Sequence, residues 1–352
     1  MNRTNIYKPD ESGFLTEEGT RSYYSRIGFF CFLLGTVSFL ISILASLVVG
    51  MFFPWILENG LVMSIFEYAL SFVAIYCIAT PLAILAIQPL PKVRPIKEKM
   101  KFTHLLAALC VCFTFMQVGS YISNILLTVV QLITGNVPTN PVEESLSTGN
   151  LLINALLVGI AFPILEEILF RKVLCNKLLP LGEKKAIIIS AVIFGFIHGN
   201  FYQFAYAFLL GLVFGYIYVK TGKLIYTIIF HCIINLYGGV LAQIVLSNLP
   251  IDKVTEILLD EKALTDIDFL IEQLSPYAGG LALYMIYSYL MMGLSIAGFV
   301  ILLIITVRKK ITFEQGILQT PHEHRFANFF LTGGVAAAIG FIAVRFLFSI
   351  IP

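Results

Sequence analysis

The chain alternates between long apolar runs and short polar stretches. The runs occupy 27–53, 64–90, 102–134, 151–179, 185–200, 201–219, 223–248, 279–307 and 326–350. A helix needs about 20 apolar residues to cross the hydrocarbon core of a bilayer. The pattern therefore predicts an all-α fold, a polytopic transmembrane helical bundle of about nine spans (eight or nine). The 102–134 run exceeds one span and is expected to tilt or bend, whereas 185–200 is short and must be thinned, tilted or shielded by its neighbours. The first 26 residues are polar and read as a tail. The run that follows is too long for a cleavable signal and reads as a retained membrane helix. No soluble domain and no internal repeat is visible across 27–350.

Loop charge orients the spans. The loop 91–101 holds Lys92, Arg94, Lys97, Lys99 and Lys101, and the turns at Lys184–Lys185, Lys220–Lys223 and Arg308–Lys310 are also basic. These belong on the cytoplasmic side. The loop 135–150 has no basic residue, and 249–278 is dominated by Asp and Glu, so both are expected outside. Nine spans keep that alternation unbroken, with tail 1–26 in the cytoplasm. Within that loop, 253–275 has apolar residues at helical spacing, to lie on the membrane surface, to cap the bundle, or to form an acidic surface helix.

Composition agrees. Hydrophobic residues make up 58% of the 352 and charged residues only 12%, against roughly 25% charged in soluble domains. A net charge of +2 gives no reason to expect nucleic-acid binding. The six cysteines lie in apolar runs without a CxxC pair, so neither a disulfide framework nor a zinc knuckle is indicated.

Against this background the stretch "PILEEILFRK", 163–172, stands out. A charge at a helix centre costs about 2.5–3.5 kcal/mol on insertion scales, so such residues usually face a partner or a cavity. Glu167 and Arg171 are i,i+4 neighbours that can pair. Glu166 is turned about 100° away and is left to face something else. "FGFIH" supplies Phe194 and His198, with Phe194 expected as packing beside the histidine. "HCIIN" sets His231 and Asn235 on one helix face. Singly, each has a plain structural explanation: a packing salt bridge, a helix-end histidine, an interhelical hydrogen bond. Together they come from three runs and comprise a carboxylate, two imidazoles and an amide, the parts of a hydrolytic site. Glu166 can act as general base for water, and histidine and asparagine can donate to an oxyanion. Arg345, in the last run, is expected to snorkel to the interface.

These three motifs, with "GLVFGYIYVKTGKLIYTIIFHCIIN" over 211–235, resemble the CAAX-protease and bacteriocin-processing (CPBP) family, also called Abi. The resemblance covers roughly 150–240. It implies a glutamate-dependent intramembrane protease similar to the Ras-converting CAAX endopeptidases, with its catalytic core there. By motif position, Glu166 and His198 would activate water, His231 and Asn235 would hold the oxyanion, and Glu167 and Arg171 would fix the helix. The partners implied are the lipid bilayer and a membrane-associated peptide substrate, with no cofactor and no metal.

Three rivals remain open. A zinc hydrolase could use two histidines and a glutamate, although there is no HExxH and the histidines stand on different helices. A proton-coupled transporter could use the same groups as a relay, although the polar cluster has no counterpart elsewhere in the chain. A non-catalytic scaffold or bacteriocin-immunity protein could keep both fold and motifs.

Overall fold

Every one of the nine apolar segments folds as a helical rod. A computed structural model of the chain describes residues 5–10, 13–136, 138, 140, 150–320 and 325–350. The rods are α1 (Glu17–Phe52), α2 (Gly60–Ile87), α3 (Phe102–Thr134), α4 (Leu151–Leu181), α5 (Glu183–Ile197), α6 (Phe201–Thr221), α7 (Leu224–Ser247), α8 (Ala278–Val307) and α9 (Gly333–Phe348). No strand occurs among the described residues. The expected outer loop 135–150 lies for the most part outside them. In the other loop expected outside, Ile251–Leu259 and Ile267–Leu274 are short helices, in line with the apolar spacing there.

Local chemistry sets the ends of the rods. Thr16 caps α1 by accepting from the Gly19 amide at 3.0 Å, with Glu17 and Glu18 in the first turn. Asn150 and Asn200 cap α4 and α6 in the same way. The α6 helix stops at Gly222, whose φ of 59° suits a residue without a side chain.

Seven of the rods are long and apolar enough to cross a bilayer, α8 doing so with the short helix before it; α9 is a shorter apolar helix. Their outer faces expose Leu44, Ile125, Leu132 and Ile286, as expected where lipid is the solvent. The protein is a multi-pass integral membrane protein. The short α5 is shielded, as its length requires: Ala186, Ile187, Ala191, Ile193 and Phe194 are buried, and it packs along α6. From there α6 packs on α3 and α3 on α8, while α1 lies against α2 and α9. Gly119 of α3 makes one of these contacts possible, because a Cβ there would come within 2.3 Å of the Tyr206 backbone on α6.

Four stretches depart from the ordinary α-helix. Phe72–Ala79 in α2, Leu157–Ala161 and Ile168–Cys175 in α4, and Leu236–Leu241 in α7 are π-helical, with i→i+5 bonds and a wider turn. Two of them flank the short segment Phe162–Glu167 that carries both glutamates.

Candidate active site

The two adjacent carboxylates of α4 have different surroundings. Glu167 and Arg171 are fully buried and paired, with Arg171 Nε donating to Glu167 Oε2 at 3.0 Å. The rest of the guanidinium has no hydrogen-bond partner among the described residues. It lies instead over two aromatic rings, Phe194 at 5.3 Å and Phe214 at 5.9 Å. Ring faces are negative and stabilise a cation away from water.

Glu166 keeps 23% of its side-chain surface. It faces a cavity of about 510 Å³ that His198, His231 and Asn235 also line. The four residues set apart in the sequence thus meet around one space, although α4, the end of α5, and α7 supply them separately. Tyr206 and Tyr287 contribute to its walls from α6 and α8. A second cavity of about 360 Å³, between α1, α2, α4 and α9, shares Glu166 and His198 with the first.

His231 reaches both carboxylates. Its Nδ1 is 3.2 Å from Glu167 Oε1 and its Nε2 is 3.6 Å from Glu166 Oε2. A carboxylate can only accept, so Nδ1 donates to Glu167, and this fixes the ring. Phe214 covers one side of the imidazole at 5.3 Å.

His198 is held differently. Its Nδ1 donates to the Phe194 carbonyl at 2.8 Å, which leaves Nε2 as the acceptor of a neutral ring. Phe194 stands edge-on to both imidazoles, 5.2 Å from His198 and 5.7 Å from His231. It is the packing partner expected from the sequence, and it also forms the wall between the two histidines and Arg171.

Asn235 lines the cavity and also bridges helices. Its Nδ2 donates to the Val158 carbonyl at 3.0 Å. The π-turn at Leu157–Ala161 shifts the main-chain ladder, and α7 meets two of its carbonyls: Val158 through Asn235 and Ile160 through Cys232 Sγ at 3.9 Å. A carboxamide has two N–H donors, so one remains for another acceptor.

Tyr76 and Asn154 were not singled out in the sequence, and Arg345 was not linked to the site. Tyr76, in the π-stretch of α2, lines the second cavity together with Glu166. Asn154 is fully buried, accepts from Tyr68 at 2.6 Å and donates to Gln243 at 3.1 Å, which ties α2, α4 and α7 together. Its only signal was an amide in an apolar run. Arg345 lines the second cavity; its guanidinium turns inward, over the Phe39 ring at 4.5 Å. Among the described residues, no three His, Cys, Asp or Glu side chains are arranged to hold a metal ion.

Fold and cluster together define a polytopic membrane protein with an ionisable site inside its helix bundle. Residues 148–237, which carry that cluster, match the model of the Rce1-like family, described as type II CAAX prenyl endopeptidase Rce1-like. The match falls on the stretch whose three motifs resemble that family. Over 121 residues the chain is also 27% identical to the UPF0177 protein YxdF of Lactococcus lactis subsp. lactis, covering 34% of this chain and 67% of the relative. No solved structure matches the chain.

Proposed function

We propose that the chain is a glutamate-dependent intramembrane endopeptidase. It hydrolyses peptide bonds of membrane-associated peptides, of which the CAAX prenyl peptides named for the Rce1-like family are one class. The observation that carries this reading is the meeting of Glu166, His198, His231 and Asn235 around one cavity inside the bundle.

Glu166 takes a proton from a water molecule, with His198 Nε2 helping to orient it. The water oxygen bonds to the carbonyl carbon as the C=O electron pair moves to oxygen. His231, backed by Glu167, and the second N–H of Asn235 donate to that oxyanion. The C–N bond then breaks, and the leaving amine takes the proton from Glu166. Because Nδ1 already donates to Glu167, donation to the oxyanion from Nε2 requires both ring nitrogens of His231 to carry hydrogen in this step. No step in this sequence uses a metal or a cofactor.

A second reading keeps the fold without the chemistry. The bonds from Glu167 to Arg171 and His231, and from Asn235 to Val158, also lock α4 to α7, as a scaffold would require. Peptide termini in the membrane proteome of cells with wild-type protein or the Glu166→Gln variant separate the two. A protease gives a set of new termini that vanish with the variant, whereas identical termini with full phenotypic rescue support the scaffold.

A further inference from the structure

Arg345 is a cation in a membrane helix. It takes part in none of the ion pairs formed among the described residues. An arginine that merely snorkels extends along its helix toward water. This one turns into the bundle, with the guanidinium 4.5 Å over the Phe39 ring of α1. On another side it lies against Gly199, the residue after His198, where a Cβ would come within 2.7 Å of Arg345 Nε. Gly199 has φ +65°, so both its backbone and its missing side chain suit the arrangement.

The guanidinium opens on the second cavity, whose walls also include Glu166, His198 and Tyr76. The Glu166–His198 edge therefore divides two chambers. One holds His231 and Asn235, and the other holds Arg345. A guanidinium facing such a space can take a ligand of opposite charge.

We propose that Arg345 and the second cavity form a carboxylate-binding subsite for the substrate chain, on the far side of Glu166 and His198 from Asn235. The proposal rests on the proteolytic reading above. One planar guanidinium matches one carboxylate, fork to fork. Leu34, Ile75 and Phe341 give the chamber apolar walls, and about 360 Å³ leaves room for one or two apolar side chains beside the anion. The carboxylate is either the chain terminus or an Asp or Glu side chain.

Equilibrium binding to the full-length protein in nanodiscs tests this without any turnover, so it stands or falls separately from proteolysis, which the Glu166→Gln comparison decides. The probes are N-dodecanoyl-Leu-Ala-Leu as free acid, the same peptide as C-terminal amide, N-dodecanoyl-Leu-Asp-Leu amide, and dihexanoyl phosphatidic acid. Wild-type protein is expected to bind a carboxylate probe about tenfold or more tighter than the plain amide. Arg345→Gln should bring the acid and the amide to equal affinity, and Arg345→Lys should keep part of the preference. The free acid and the Asp peptide tell a terminal from a side-chain carboxylate. Should Arg345→Gln fail to fold, the wild-type ratio and its reduction in Arg345→Lys decide. Equal affinity for acid and amide, a preference that survives Arg345→Gln, or tightest binding by the phosphatidic acid overturns the proposal.

Discussion

His231 Nε2 stands 3.6 Å from Glu166 Oε2, while the other nitrogen of the same ring holds Glu167 at 3.2 Å. One imidazole thus joins two carboxylates that are neighbours in sequence but face different surroundings. Glu166 borders a cavity, and Glu167 is sealed between Arg171 and His231.

The two glutamates should therefore fail differently. Glu166→Gln keeps the side-chain shape but cannot take a proton from water, so cleavage should disappear while the protein still accumulates in the membrane. Glu167→Gln removes the charge that Arg171 and His231 both use, so it should lower thermal stability as well. Melting curves and turnover on the two purified variants check this; indistinguishable phenotypes would contradict the division of roles.

Arg171→Ala leaves Glu167 without its buried partner. Breaking such a pair costs about 3–5 kcal/mol, and two aromatic contacts go with it. The variant should be made in lower amount and melt earlier. Replacing both members with apolar residues, Glu167→Leu with Arg171→Met, should recover much of the stability but not the activity, because His231 loses its anchor.

For Asn235, the amide that faces the cavity is also bonded to Val158. Asn235→Ala should cost about 0.5–1.5 kcal/mol of stability for the interhelical bond. If the second N–H serves the oxyanion, kcat should fall about a hundredfold to a thousandfold, with a smaller change in KM. Asn235→Asp should be at least as damaging, since a carboxylate repels the developing charge. Preserved turnover per folded molecule in Asn235→Ala would remove this residue from the chemistry.

The metal-independent mechanism predicts full activity of the purified protein after dialysis against a strong chelator. Loss of activity restored by zinc would replace the water-activating glutamate with a metal centre.

Loop charge makes a separate prediction about topology. Cysteines introduced over 249–278 should react with an impermeant reagent applied from outside, and those over 91–101 should not. Reaction of both sets from one side would overturn the expected orientation.

Much of the site was legible in the sequence, for physical reasons. The Glu167–Arg171 pair follows from helical spacing alone, and the same geometry turns Glu166 elsewhere. The apolar runs map onto the rods because burial in lipid leaves few other ways to satisfy the backbone. The link from His231 to both carboxylates was not legible, since it depends on how α7 seats on α4, 64 residues away along the chain. Tyr76 was hidden for a similar reason: a tyrosine in an apolar run gives no sign of which helix it will face. The contacts of Arg345 were not legible either, since its seat beside Gly199 and over the Phe39 ring depends on how α9 packs.

The π-stretches carry a consequence for how such a site is inherited. Each wide turn holds more residues than the same rise of α-helix would, and each borders one of the two cavities through Tyr76, Val158, Phe170 or Gly238. Deleting a single residue from Leu157–Ala161 would let that turn relax to an ordinary helix and close the wide turn that presents the Val158 carbonyl to Asn235. The geometry is thus recorded in the residue count as well as in residue identity. A related chain could keep every motif letter and still lose the alignment through one missing codon, a change that scoring by substitution alone would pass over.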